Sequence, residues 1–340
     1  MSKEISYAAA RGLVAVLTVG VIVSAMPEYY SGIATKTLIF IGLAMAWNIV
    51  GGIGGQLSLG HSVFIGLGAL LPAAMLLKLS VPLWVGIVCA AMISSLIGAG
   101  LSWLTFRFRL GHLYFALVTL AVGELGRIIV IGTEFLGGAS GLLVQYKPRS
   151  VLGVQLSVAT QSLIFALAFA ALTIAVTYYL LQSKLGFRLR ALKGNEDAAQ
   201  AIGIDLLRSK TAAMVISAVL SSLGGSVFAQ YNGFVDPEVV ASPILIISII
   251  LFTAIGGVGT IWGPVLGVAI LFPFGEVLRG ILANSLPGLH LVIFGATLVA
   301  IIRLMPNGLV GWLKSKMRFL RERRLPRAVP RHASRSQEGL

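Results

Sequence analysis

The four histidines, His61, His112, His290 and His332, are the side chains best suited to metal or proton-transfer chemistry. They lie far apart in the chain, with no metal-ligand spacing. Residues 56–60, QLSLG, approach the Gly-x-Ser-x-Gly nucleophile pattern but open on Gln56. No Gly-x-x-x-x-Gly-Lys-Ser/Thr stretch occurs, so the chain encodes no phosphate loop for ATP. Cys89 is the single cysteine and sits in an apolar run, the setting of a buried structural thiol, and it can form no intramolecular disulfide. Two polar groupings remain, and neither is a catalytic constellation. Glu124 and Arg127 stand three residues apart in an apolar stretch, so a helix puts them on one face. Gln56, Ser58, His61 and Ser62 are threaded among Gly51, Gly52, Gly54, Gly55 and Gly60.

The elements that position these groups follow from composition. Of 340 residues, 57% are hydrophobic and 11% charged, against about 25% charged in soluble domains. So few charges cannot solvate a globular surface, which excludes a cytosolic enzyme, a secreted disulfide scaffold and a disordered chain. The expectation is an all-α polytopic membrane protein with about ten transmembrane helices. The spans fall at 13–26, 33–50, 59–77, 83–106, 113–131, 159–181, 211–230, 244–261, 265–282 and 289–304. Backbone in lipid must bond within its own segment, and the alternation of barrel strands is absent. The glycines at 50–58 predict broken or re-entrant helices, and the turn at 256–264 is a candidate for lying deep in the membrane. Residues 13–26 follow Lys3 and Arg11 as a secretory signal would, but no small-x-small site precedes Pro27, so a retained helix is expected.

The net charge of +14 is distributed by side. With the N-terminus inside, twenty Lys and Arg fall on inner segments and five on outer ones, with Arg127 inside a span. That asymmetry places both termini in the cytoplasm, so the basic balance reflects topology and calls for no nucleic acid. The chain divides into a transmembrane domain at 1–312 and a basic, disordered cytoplasmic tail at 313–340, which would lean on anionic headgroups of the lipid bilayer.

The longest inner loop, 184–210, carries a helix of its own. Asn195 is an N-cap, Glu196 and Asp197 occupy the first turn, Ala198, Ala199, Ala201 and Ile202 propagate it, and Gly203 ends it. Asp205 then caps the next span. About two turns are unstable alone, and the small alanine face suits a protein groove better than a bilayer, which would select Leu, Phe and Trp.

At this loop the sequence resembles the permease subunits of branched-chain amino-acid ABC importers, specifically the LivM type. The stretches GGQLSLGH at 54–61, LYFALVTLAVGE at 113–124, GGASGL at 137–142, GGVGTIWGP at 256–264 and RLMPNGL at 303–309 match that family in order, together covering residues 35–312. The resemblance implies a multi-pass protein of the bacterial inner membrane with no cofactor of its own, ATP being bound by partner subunits. It implies a second related permease, two cytoplasmic ABC ATPases and a periplasmic solute-binding protein. Its coupling residues would be Arg188, Arg190, Asn195, Glu196, Asp197, Ala198, Ala199, Ala201 and Gly203. The residues themselves, by the broken helix and the intramembrane charge pair, make Gly51, Gly54, Gly55, Gln56, Ser58, Gly60, His61, Glu124 and Arg127 the candidate path or hinge residues.

The residues themselves leave alternatives open. The glycine-rich break either lines a wet solute path or packs closely, since Gly51 and Gly55 form a small-xxx-small pair. Gly259, Gly263 and Gly267 repeat that spacing around Pro264, where close packing is the better reading. Glu124 and Arg127 either line the path or serve structure, as a lock between helices or with Arg127 snorkelling; a lone Arg at mid-membrane costs about 2.5–3.5 kcal/mol on insertion scales. The outer loop at 133–158, with Asp236, Pro237 and Glu238, is the natural dock for a binding protein. The function expected is translocation of branched-chain amino acids, ATPase closure pushing the 195–203 helix. Urea, short amides or aromatic acids are alternative solutes, and an autonomous secondary transporter or channel is the alternative class.

Overall fold

Pro27 holds an extended backbone, with ψ at 147°, and launches α1, Glu28–Asn48. The computed structural model describes residues 23, 27–108, 111–144, 150–151, 154–155, 157–282, 288–305, 308–312 and 316. Nearly all of the span expected at 13–26, Arg109, much of the outer loop and nearly all of the tail at 313–340 lie outside these residues.

After α1 the helix widens into a π-helical segment, Ile49–Ile53, and stops. Residues 54–60 are not helical, and α2, His61–Leu79, begins after them. This is the break that the glycines predicted. Pro82 starts α3, Leu83–Arg107, and α4 follows at His112–Gly132. Ser157 caps α5, Val158–Gln182, by accepting from Thr160 N. Then come α6, Lys184–Gly194, α7, Glu196–Ala201, and α8, Leu206–Asn232. Asp236 and Ser242 cap α9, Pro237–Val240, and α10, Pro243–Gly257. α11, Trp262–Ile281, and α12, Leu289–Leu304, follow.

Eight helical stretches among the described residues are long and apolar enough to cross a membrane, and α12 is shorter. The chain is an all-α polytopic membrane protein. Among the described residues, strands form only two short antiparallel ladders, β1 (Leu142–Leu143) with β4 (Phe234–Val235) and β2 (Ser150–Val151) with β3 (Val154–Gln155). The first ladder fastens the α4–α5 connection to the end of α8, so residues 133–144 and Asp236–Glu238 share the end of the bundle opposite α6 and α7.

The layering follows residue size. The α1–π stretch is 78% buried in its apolar window while α4 is 28% buried, so α1 is central and α4 peripheral. α2 and α8 meet almost backbone to backbone: a Cβ on Gly68 would fall 1.9 Å from Ser222 O, and one on Gly225 2.1 Å from Ile65 O. Where lipid removes the hydrophobic drive between helices, such contacts let dispersion and weak polar bonds hold them. Ser226 Oγ donates to Gly68 O across this seam at 2.6 Å. α10 and α11 pack likewise at Gly256, Gly263 and Gly267, the close packing expected of the last two; Gly259 lies in the turn between these helices.

Several features differ from expectation, and the second span starts at Glu28, not 33. The seventh span starts at Leu206, not 211, because Lys210 is buried and ion-paired instead of marking the membrane edge. The eighth ends at Gly257, where Val258 is extended, not at 261. Residues 184–194, expected as open loop, form α6: Ser183 caps it from Gly186 N, and Gly186, Leu189 and Leu192 turn inward at helical spacing.

Candidate coupling and hinge site

α6 and α7 form a bracket across the ends of α5 and α8. Asn195 Oδ1 accepts from Ala198 N at 2.9 Å, so one residue both ends α6 and caps α7. Gly203, at φ +87°, ends the turn as its lack of a side chain permits, and Asp205 accepts from Arg208 N to start α8. The helix and caps expected over 195–205 are therefore present.

Ala199 is buried beneath α7, whereas Asp197, Ala198, Ala201 and Ile202 are exposed, Ile202 at 78%. Glu196 turns inward instead: Oε1 bonds to Lys210 Nζ and stands 3.7 Å from His112 Nε2. Lys210 Nζ also lies 4.9 Å above the Phe106 ring. These groups tie α7 to the starts of α4 and α8 around a cleft of about 570 Å³, lined also by Gln200 and Leu206. Arg188 is exposed. Arg190 folds back, Nη2 donating to Leu181 O at 2.9 Å, and closes a free carbonyl at the end of α5.

The break sits directly against this bracket, and the structure brings its predicted residues together. Gly51 lies on the Trp47 ring, and Gly54 on the Val50 carbonyl. Gly55 takes φ +71° beneath the Lys193 stem. Gln56, Ser58, Gly60 and His61 are buried. Trp47 Nε1 donates to Ser58 O at 2.8 Å, and Leu59 N donates to Thr119 Oγ1 at 3.0 Å. Ser217 Oγ donates to Ala46 O at 2.6 Å, so toward His61 Nε2, 2.7 Å away, it acts as acceptor. His61 then carries its proton on Nε2, and Ser58 Oγ donates to Nδ1 at 2.8 Å. The break is thus bonded to α1, α4 and α8 at once.

Two residues missed by sequence reasoning complete the junction. Asn48 is fully buried; its Oδ1 accepts from Gly259 N at 2.9 Å and its Nδ2 donates to Thr260 O at 3.0 Å. Lys193 Nζ donates to Gly52 O at 2.7 Å. The one signal available was an Asn inside an apolar span, which is costly unless partnered.

Glu124 and Arg127 form their ion pair within α4, Nε to Oε2 at 2.9 Å, on a part-exposed flank of the helix. The adjacent Gly123 packs toward Gly60: a Cβ there would lie 3.4 Å from Gly60 Cα. Among the described residues no cluster of His, Cys, Asp and Glu could hold a metal ion.

Comparison with known proteins agrees with this architecture. Residues 29–302 match the family described as branched-chain amino acid transport system, permease component. The high-affinity branched-chain amino acid transport system permease protein LivM of Salmonella typhimurium is 28% identical over 313 residues, covering 84% of this chain and 71% of that protein. LivM of Escherichia coli gives the same identity and coverage. The probable LivH permease protein of Methanocaldococcus jannaschii is 26% identical over 165 residues, 46% of this chain and 51% of that one. A match running from the start of α1 nearly to the end of α12 is decisive, and the chain belongs to the family of permease components of branched-chain amino acid transport systems.

Proposed function

We propose that this chain is the LivM-type permease subunit of an ATP-driven importer of branched-chain amino acids in the bacterial inner membrane. The similarity to proteins named LivM and LivH supports a pair of related permeases, served by two cytoplasmic ATPases and a periplasmic solute-binding protein. ATP is bound by those ATPases and not by this chain. The carrying observation is α7: a short helix, capped at both ends, bonded to α8 through Glu196 and Lys210 and lying close to His112 at the start of α4, that presents Asp197, Ala198, Ala201 and Ile202 outward. A helix this short is unstable alone, and its exposed Ala198 and Ala201 fit a protein groove.

When the ATPases close on ATP they push α7, and α6 and α8 carry the displacement into the bundle. The glycine-rich break and the Glu124–Arg127 flank of α4 border the path whose access alternates. The 133–144 segment with Asp236 and Glu238, at the far end, receives the solute-binding protein. Ala201→Trp tests the docking: the variant chain inserts and pairs with the second permease, but the purified complex loses its ATPase subunits and uptake. Full ATPase content and wild-type uptake in that complex would overturn the assignment of α7.

A further inference from the structure

Three separate pieces of chain meet at the π-helical segment: the end of α6, the end of α1 and the turn between α10 and α11. Gly52 O is a carbonyl freed by the end of a helix, because Gln56 N donates to Val50 O instead. Lys193 supplies the missing donor, at 2.7 Å, and brings a cation to the negative end of that helix. Its stem rests on Gly55, where a Cβ would fall 2.8 Å from Lys193 Cγ. Its ammonium also touches the turn, where a Cβ on Gly259 would fall 3.1 Å from Nζ. Asn48 fixes that turn to the same helix end through Gly259 N and Thr260 O. Lys193 stands two residues before Asn195, the cap of α7, with only Gly194, the last residue of α6, between them.

We propose that Lys193 is the positioning residue through which a displacement of α7 reaches the broken helix and the α10–α11 turn. The chain of contact is short: α7, the Asn195 cap, Lys193, then Gly52 and Gly259. A push on α7 shifts the donor that holds Gly52 O, while Asn48 makes the turn follow. This joint runs parallel to α8 and needs no bending of a membrane-spanning helix. The inference rests on the reading that α7 meets the ATPases, and it adds the route by which that contact is transmitted.

The test uses the whole importer in proteoliposomes with its solute-binding protein, recording solute moved per ATP hydrolysed. Lys193→Met keeps the stem over Gly55 and deletes the donor; Lys193→Leu, which likewise has no N–H, is a second deletion in case one variant fails to insert. Lys193→Arg keeps the charge and the reach. The deletions are expected to assemble with full ATPase content and to lower the solute-to-ATP ratio by roughly tenfold, mid-range for coupling between two sites. Lys193→Arg restores most of the ratio, which a purely structural role would not require. An unchanged ratio in either assembled deletion overturns the proposal. Loss of ATPase subunits, or failure of both deletions to insert, assigns Lys193 to docking or folding and overturns it equally. Failure of the α7 reading is told apart by Ala201→Trp, which would then leave assembly intact whatever Lys193 does.

Discussion

Ser217→Ala is the sharpest probe of the break, because both ends of the bond it removes are fully buried. Ser217 Oγ holds the Nε2 proton of His61 and donates to Ala46 O. Ala46 O keeps a backbone partner in Ile49 N–H, so the substitution orphans one group, the His61 N–H. An unsatisfied buried donor costs about 1–3 kcal/mol. Side-chain hydrogen bonds in membrane helices average about 0.6 kcal/mol, with a ceiling near 1.7, because the unfolded chain also finds partners. Full enclosure by α1 and α8 puts this site near the ceiling, at about 1.5 kcal/mol. His61→Leu with Ser217→Ala removes donor and acceptor together, so the double variant costs about 1 kcal/mol less than the sum of the singles. Denaturant unfolding of the purified protein in micelles measures all three, with Ser95→Ala as an exposed control. Additivity of the pair within about 0.3 kcal/mol, or a Ser217→Ala cost no larger than the control, would refute the assigned proton position and the network built on it.

Two further outcomes follow from packing and charge. Gly68→Ala sets a methyl against Ser222 O and forces α2 and α8 apart, at about 1–3 kcal/mol in the same unfolding assay. Gly100→Ala, on α3 with open space around it, is neutral or slightly stabilising, and equal effects at the two glycines would contradict the seam. Arg127→Leu leaves Glu124 alone in mid-helix and lowers the membrane-inserted yield, while Glu124→Gln with Arg127→Leu recovers it. The single substitution exposes a charge worth about 2.5–3.5 kcal/mol at the bilayer centre, so equal yields for the two variants would argue against a paired charge.

What was legible in the sequence was local or periodic. Hydropathy placed the eight crossings found among the described residues, since each apolar run satisfies its own backbone. The Asn195–Gly203 helix was legible because caps and first-turn acids act within four residues. The ordered glycine motifs carried the family, which the match over residues 29–302 bears out. The glycine cluster announced a break, yet not what holds it. Asn48 binds a turn 211 positions away, and Lys193 a carbonyl 141 positions away. Nothing in a lysine near two arginines distinguishes a helix cap from a charge that sets topology. Lys210 misled in the same way: read as a membrane-edge cation, it is the partner of Glu196. α6 was hidden because its cations lower its apolar content, although Gly186, Leu189 and Leu192 keep a buried face.

The bonding of the break bears on how it can move. Interrupting a helix inside a bundle frees carbonyls and amides that cost several kcal/mol each in a lipid setting. Here Gly52 O finds Lys193, Ser58 O finds Trp47, Leu59 N finds Thr119, and the Ser58 and Ser217 hydroxyls bracket His61. A segment held this fully is a folded element, not slack chain, so it cannot flex one residue at a time without orphaning a buried group. Motion through it must exchange one bonded arrangement for another, as packed interiors do. Among these bonds, Trp47, Thr119 and Ser217 lie on membrane-crossing helices, whereas Lys193 lies on the bracket that carries α7. On the proposed docking of α7, the donor from the bracket is therefore the one that a displacement of α7 reaches first.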